Sequence, residues 1–226
     1  MNKNVYYFSC MEETQKHDFS NSLFQMMNCH IRPEMPIIIL CIGTDKVTGD
    51  SLGPFVGHRL KQLLANVEPD SASRVRVYGT LKEPVHAINL SATLTALQKE
   101  LAEEEKTLSD CLLLGVDASL GVPHHLGYVT LANQPLSPGE GVNKKLPRVG
   151  QISITGIIGE ARSSSYKSQM VLRHARLYDL IQLADFISEG IVDSLCRLYV
   201  QLSLVYRNGI SNGSYPFFLH NANENV

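Results

Sequence analysis

The chain has 226 residues, with 20 lysines and arginines against 22 aspartates and glutamates, and a formal net charge of −2. That balance gives nucleic acid or an acidic membrane surface no electrostatic reason to bind, and no apolar run approaches the roughly 20 residues of a membrane span. A hydrophobic content of 44% provides a full core for a single α/β domain over 1–226, with 1–12 and 209–226 loose. The five cysteines, Cys10, Cys29, Cys41, Cys111 and Cys196, are scattered and form no CxxC. They indicate neither a zinc site nor a disulfide framework. The first residues, Met1 to Phe8, lack the apolar core and cleavage site of a secretory signal, so the expected compartment is cytoplasmic.

In chain order, residues 13–31 read as a helix, with Phe19, Leu23, Phe24, Met26 and Met27 on one side. Arg32-Pro33 ends it, because the residue before a proline disfavours the helical region. The unbroken apolar run at 36–42 is a buried strand. A Gly43–Gly49 loop follows, and a helix opens near Asp50 or Ser51 with Pro54 in its first turn. The alternation of Arg74-Val-Arg-Val-Tyr-Gly79 predicts a strand with one half-exposed face. Residues 83–105 read as a helix with Leu90, Leu94, Leu97 and Leu101 in register. Strands are predicted at 111–116, about 126–131 and 151–155. Between the last two, 132–150 carries three prolines and three glycines and forms a long loop. The segment 167–207 reads as two helices broken near Gly190, with Arg173, Arg176, Arg197 and Arg207 on outer faces. The tail after Asn208 reads as frayed. Strands alternating with helices predict a mainly parallel sheet covered on both faces.

In such a sheet the ligand crevice lies outside the carboxyl ends of the strands. Two apolar runs each deliver an aspartate to a small-residue turn there: Pro36–Ile42 leads to Asp50, and Cys111–Val116 leads to Asp117. Each acid also has a purely structural reading. Asp50 suits a helix cap, and Asp117 suits an Asx-turn. Their convergence at one edge favours a functional pair. A phosphate loop does not fit, because five residues separate Gly43 from Gly49 and Asp50 stands where the lysine belongs. Gly49-Asp-Ser-Leu-Gly53 has the Gly-x-Ser-x-Gly spacing, but Ser51 lies too far past the strand for the sharp elbow of a nucleophile. His124 and His125 follow Pro123 and are either a base, metal ligands or a solvated pair. Ser119 and Thr155 are candidate hydrogen-bonding groups in the crevice.

Thr48-Gly-Asp-Ser-Leu-Gly-Pro54 together with Gly115-Val-Asp-Ala-Ser-Leu120 resembles the germination protease family of spore-forming bacteria. From the first strand to the fifth, the chain more closely resembles the sporulation protein YyaC family. The segments Pro36–Pro54, Gly79-Thr-Leu-Lys-Glu-Pro-Val-His-Ala-Ile-Asn-Leu90 and Gly150-Gln-Ile-Ser-Ile-Thr-Gly156 carry that match. The resemblance implies a three-layer α/β/α sandwich of the phosphorylase/hydrolase-like and hydrogenase-maturation-endopeptidase-like kind. It also implies atypical aspartic endopeptidase chemistry, small acid-soluble spore proteins as substrates, and a setting in the mother cell or spore interior. The family's two acids fall on Asp50 and Asp117. In the hydrogenase endopeptidases these positions bind nickel with a later histidine, and Gln151-Ile-Ser-Ile-Thr155 holds none. The chain is shorter than the germination protease and has no evident pro-segment, so autoprocessing does not carry over.

The leading expectation is therefore a cofactor-free aspartic peptidase using Asp50 and Asp117, acting on a protein or peptide. A second is a divalent-metal site built from Asp50, Asp117 and His124 or His125. A third is a non-catalytic binding or regulatory protein on the same scaffold, with the C-terminal arginines and the 132–150 loop as its surface. A homo-oligomer is compatible with all three.

Overall fold

A computed structural model describes residues 5–32, 34–66, 74–139 and 146–209. Its centre is a six-stranded sheet made of β1 (Val5–Ser9), β2 (Ile37–Cys41), β3 (Val75–Tyr78), β4 (Leu112–Gly121), β5 (Tyr128–Ala132) and β6 (Ile152–Glu160), in the order β1-β5-β6-β4-β2-β3. β3, β2, β4 and β6 run parallel, and β5 is antiparallel to both β6 and β1. The helices are α1 (Glu13–His30), α2 (Leu52–Leu64), α3 (Leu90–Glu103), α4 (Ser165–Arg173) and α5 (Leu177–Gly209).

The period-2 alternation of the strands divides the core in two. On one face, Leu112, Leu114 and Val116 of β4, Ile152 and Ile154 of β6, and Val129 and Leu131 of β5 pack against α1, α2 and α5 through Phe19, Leu23, Val56, Leu60, Leu183 and Ile187. On the other face, Ile38, Leu40 and Leu113 pack against Leu90, Leu97 and Leu101 of α3, with Leu136 and Val149 beside them. This is the expected α/β/α sandwich with a mainly parallel sheet. The two outer layers are unequal, however, because the second face has one helix. Over β5, β6 and the end of β4 that face carries Thr130, Ser153, Thr155, Asp117 and Ser119 in place of apolar residues.

Several expected boundaries move. The segment expected to be a loose arm contains β1, an edge strand whose Val5, Tyr6 and Tyr7 are exposed and whose Phe8 is buried. β4 and β6 run past their expected ends because they pair with each other through Ser119 and Ile157 and, after a register shift, on to Gly121 and Glu160. The helix expected from 83 begins at Leu90. Upstream of it, the Asn89 side chain accepts the His86 N–H (2.7 Å) and donates to the Pro84 carbonyl (2.9 Å), which builds a turn. The C-terminal helices are separated at 174–176, and Gly190 lies inside α5. A Cβ on Gly190 would sit 2.4 Å from Phe19 Cδ1, so this glycine serves the approach of α1 and does not break the helix. The expectations for the tail beyond 209, for 140–145 of the long loop and for the Arg207 side chain lie outside the described residues.

Candidate active site

The Gly43–Asp50 loop is held shut by its own backbone. Gly43 adopts φ 146°, a left-handed conformation that favours glycine. A Cβ there would lie 2.0 Å from the Asp50 carbonyl oxygen. Gly43 N–H donates to Val85 O (2.8 Å), Thr44 N–H to Asp50 O (3.0 Å) and Asp50 N–H to Val47 O (2.9 Å). The loop closes into a 3-10 turn over Thr48–Ser51, and Ser51 occupies the N-cap position of α2. The Ser51 hydroxyl donates to Thr48 O (2.6 Å) and is buried, an arrangement that stiffens the turn carrying Asp50.

Asp117 sits within β4 opposite Thr155 of β6, not after the strand as its Asx-turn reading required. It is 7% exposed. Its Oδ1 accepts the Ala118 N–H (2.8 Å), and the Gly139 N–H donates to the same carboxyl. Burial pushes the Asp117 carboxyl well above the ordinary aspartate value, and the Asp50 charge adds to that rise. The two backbone donors oppose it, because they stabilise the charged form.

Asp50 and Asp117 line one cavity of about 430 Å³ over the uncovered part of the sheet. Its other polar lining is Tyr7, Ser119, Thr130, Gln134, Ser137, Ser153 and Thr155, and among the described residues no lysine, arginine or histidine faces it. Three of the hydroxyls form a chain across adjacent strands. Thr155 Oγ1 lies 2.7 Å from Thr130 Oγ1 and 3.0 Å from Ser119 Oγ, and Ser119 Oγ also donates to Gly156 O (3.3 Å). Ser119 and Thr155 were expected at the crevice. Thr130, Ser153, Gln134 and Ser137 were not, although Ile152-Ser-Ile-Thr155 carries the alternation that places two hydroxyls on one face.

The histidines are placed elsewhere. His124 and His125 form a 3-10 turn with Pro123. The His125 ring stacks on Tyr7 (4.5 Å between centroids) and Tyr128 (5.2 Å), and His124 packs on His125 (4.4 Å). Neither lines the cavity. Among the described residues no group of three His, Cys, Asp or Glu side chains is arranged to hold a metal ion. The Asp50, Asp117 and His124 set is therefore not assembled.

The chain belongs to the family described as "Protein of unknown function (DUF1256)", whose profile matches residues 9–190. It is similar to the "Uncharacterized protein YyaC" of Bacillus subtilis (strain 168), with 38% identity over 156 residues that cover 69% of this chain and 68% of that protein. Among solved structures it is similar to the NiFe hydrogenase maturation protease HycI from Thermococcus kodakarensis KOD1. That match has a TM-score of 0.39 and 17% identity, and covers 73% of this chain and 97% of HycI.

Proposed function

We propose that the protein is an aspartic-type peptidase whose working groups are Asp50 and Asp117. The observation that carries this reading is the pair of carboxyls in one polar cavity, with burial and the Asp50 charge raising the Asp117 carboxyl well above the ordinary aspartate value. Two neighbouring carboxyls cannot both ionise cheaply, so their roles separate. Protonated Asp117 donates a hydrogen bond to the scissile carbonyl and supplies its proton to that oxygen as the carbon becomes tetrahedral. Ionised Asp50 accepts a proton from a water, and the resulting hydroxide attacks the carbonyl carbon. On collapse the C–N bond breaks, the amine leaves with the proton taken up by Asp50, and Asp117 regains its own. The two carboxyls are a coupled pair, and their apparent titrations belong to the pair. The hydroxyls of Ser119, Thr130 and Thr155 offer hydrogen-bonding partners to the peptide groups of a substrate.

The family resemblance adds the setting: hydrolysis of small acid-soluble spore proteins during sporulation, inside the mother cell or spore. The test is incubation of the wild type, Asp50→Asn and Asp117→Asn with such proteins, with fragments read by mass spectrometry. Wild type cleaves, and each substitution lowers the rate by about a hundredfold to ten-thousandfold, the usual worth of a positioned acid or base. Equal cleavage by all three, or by none, removes this reading for that substrate.

A further inference from the structure

A second depression lies beside the carboxylate cavity, between the end of β6 and α4. Ala161, Arg162, Ser163, Lys167, Met170 and Val171 line about 460 Å³ there. Its frame is fixed by backbone hydrogen bonds. Buried Ser168 donates its hydroxyl to Arg162 O (3.4 Å) and its N–H to Ser164 O (3.0 Å). Lys167 N–H donates to Ser164 Oγ (3.3 Å), and Ala161 N–H donates to Gly121 O (2.8 Å). Met170 and Val171 give the groove an apolar wall, and Arg162 and Lys167 give it two cations.

The groove neighbours the cavity. Leu172, next to Val171, lines the cavity, and so does Leu120. Leu120 and Val171 meet over Gly159, where a Cβ would lie 3.0 Å and 2.3 Å from them. One ridge of two side chains separates the two spaces. The charge pattern is also local. Between Glu160 and Asp179, four cationic residues (Arg162, Lys167, Arg173 and Arg176) stand against those two acids, in a chain whose overall charge is −2. Glu160 pairs with Arg162 (2.7 Å) and Asp179 with Arg176 (3.6 Å). Lys167 and Arg173 have no acidic partner among the described residues.

We propose that this groove binds an acidic side chain of the peptide substrate, a few residues along from the bond held at Asp50 and Asp117. The proposal rests on the peptidase reading and adds a substrate class to it. The two spaces have opposite preferences. The cavity's ionised Asp50 repels an acidic side chain, and the groove's Arg162 and Lys167 attract one. A polyanion such as nucleic acid would have to cross both, so a peptide with a localised acid fits better.

The probes are three short labelled peptides, identical except for one Glu-Glu, Gln-Gln or Lys-Lys pair, and binding to the full chain is read by fluorescence anisotropy. At low salt the Glu peptide binds a few-fold more tightly than the Gln peptide, the scale of one exposed ion pair at Lys167 beside the already paired Arg162. The advantage shrinks at high salt. Arg162→Glu with Lys167→Glu inverts the order in favour of the Lys peptide, and Arg162→Gln with Lys167→Gln abolishes it. Far-UV circular dichroism and melting verify that both double variants fold. An unchanged ranking in the variants, no preference in the wild type, or no binding of any peptide overturns the proposal. Binding needs no hydrolysis, so the two readings fail separately. Cleavage indifferent to peptide charge overturns the groove alone. Charge-selective binding without cleavage of any peptide supports the groove as an acidic-peptide site and removes the peptidase reading.

Discussion

The state of Asp117 is measurable without any substrate, through the pH dependence of stability. An aspartate titrates near about 3.9 in an unfolded chain, and the folded carboxyl sits well above that value, first because it is buried and second because of the Asp50 charge. The folded state therefore holds a proton over a pH window in which the unfolded state has lost it. The stability tied to Asp117 is complete below the unfolded value. It is lost as pH rises toward the folded value, at up to about 1.4 kcal/mol for each pH unit, and is constant above it. Asp117→Asn has no such titration. Its Oδ1 keeps the Ala118 N–H bond of 2.8 Å, and weakening the Gly139 contact costs about 1 kcal/mol independently of pH. The variant is thus slightly less stable than the wild type near pH 4, and its disadvantage shrinks as pH rises toward the folded value of Asp117, reversing where the wild type's loss exceeds about 1 kcal/mol. Urea unfolding followed by circular dichroism from about pH 4 to 8 gives the difference directly, and the titrations of other groups cancel between the two proteins. Asp50→Asn in the wild-type background removes the like charge, so the decline ends at a lower pH. Parallel curves for wild type and Asp117→Asn over the whole range, or a wild type that gains on the variant as pH rises, would refute the account of Asp117 as a proton-holding acid.

Two further substitutions test neighbouring features. Thr155→Val keeps the shape of the side chain and removes the hydroxyl that lies 2.7 Å from Thr130 Oγ1 and 3.0 Å from Ser119 Oγ. The expected cost is about 1–2 kcal/mol for two hydrogen bonds, read as an unfolding midpoint, and an unchanged midpoint would show that the chain of hydroxyls adds no stability. Gly190→Ala is a favourable change by helix propensity, worth up to about 1 kcal/mol, yet its Cβ would meet Phe19 at 2.4 Å. The overpacking cost of about 1–3 kcal/mol wins, so Tm falls by a few degrees at about 2–4 °C for each kcal/mol. A rise in Tm would mean that α1 yields without penalty.

The legible parts of this chain are those whose local pattern and tertiary role coincide. Ile37–Cys41 is buried at every position, as a central parallel strand must be, so an unbroken apolar run identified it. β1 was hidden because only Phe8 and Ser9 of its five residues are buried, which leaves no alternation to detect. Gly190 misled because an interior glycine is locally unfavourable in a helix, and its reason lies on α1, far away in sequence. The apolar runs that lead to Asp50 and Asp117 pointed to one sheet edge, although Asp117 proved to lie within its strand and not in a turn. The hydroxyls were less legible, because Ser119, Thr130 and Thr155 come from three strands that become neighbours only through the order β5-β6-β4. Alternation within β6 gave the face of each residue but not the partners across it.

The site itself follows from a mismatch in strand length. β2 pairs with β4 only as far as Cys41 opposite Val116. Ile42 N–H makes one more bond, to Val116 O (2.7 Å), and the chain then turns toward Val85, which bridges Ile42 and accepts the Gly43 N–H. β4 continues for five more residues, supported by β6 alone. Asp117 is the first position beyond the shared ladder. A carboxyl placed one residue earlier would point into the apolar layer of α2 and α5, where Val116 packs. At 117 it faces the part of the sheet that α3 leaves uncovered, and the edge left by β2 is filled by the turn that returns with Asp50. The asymmetry of the pair has the same origin. Asp117 belongs to a buried strand, which raises its carboxyl well above the ordinary aspartate value, while Asp50 stands on a turn whose backbone bonds run from Thr44 N–H to Asp50 O and from Asp50 N–H to Val47 O.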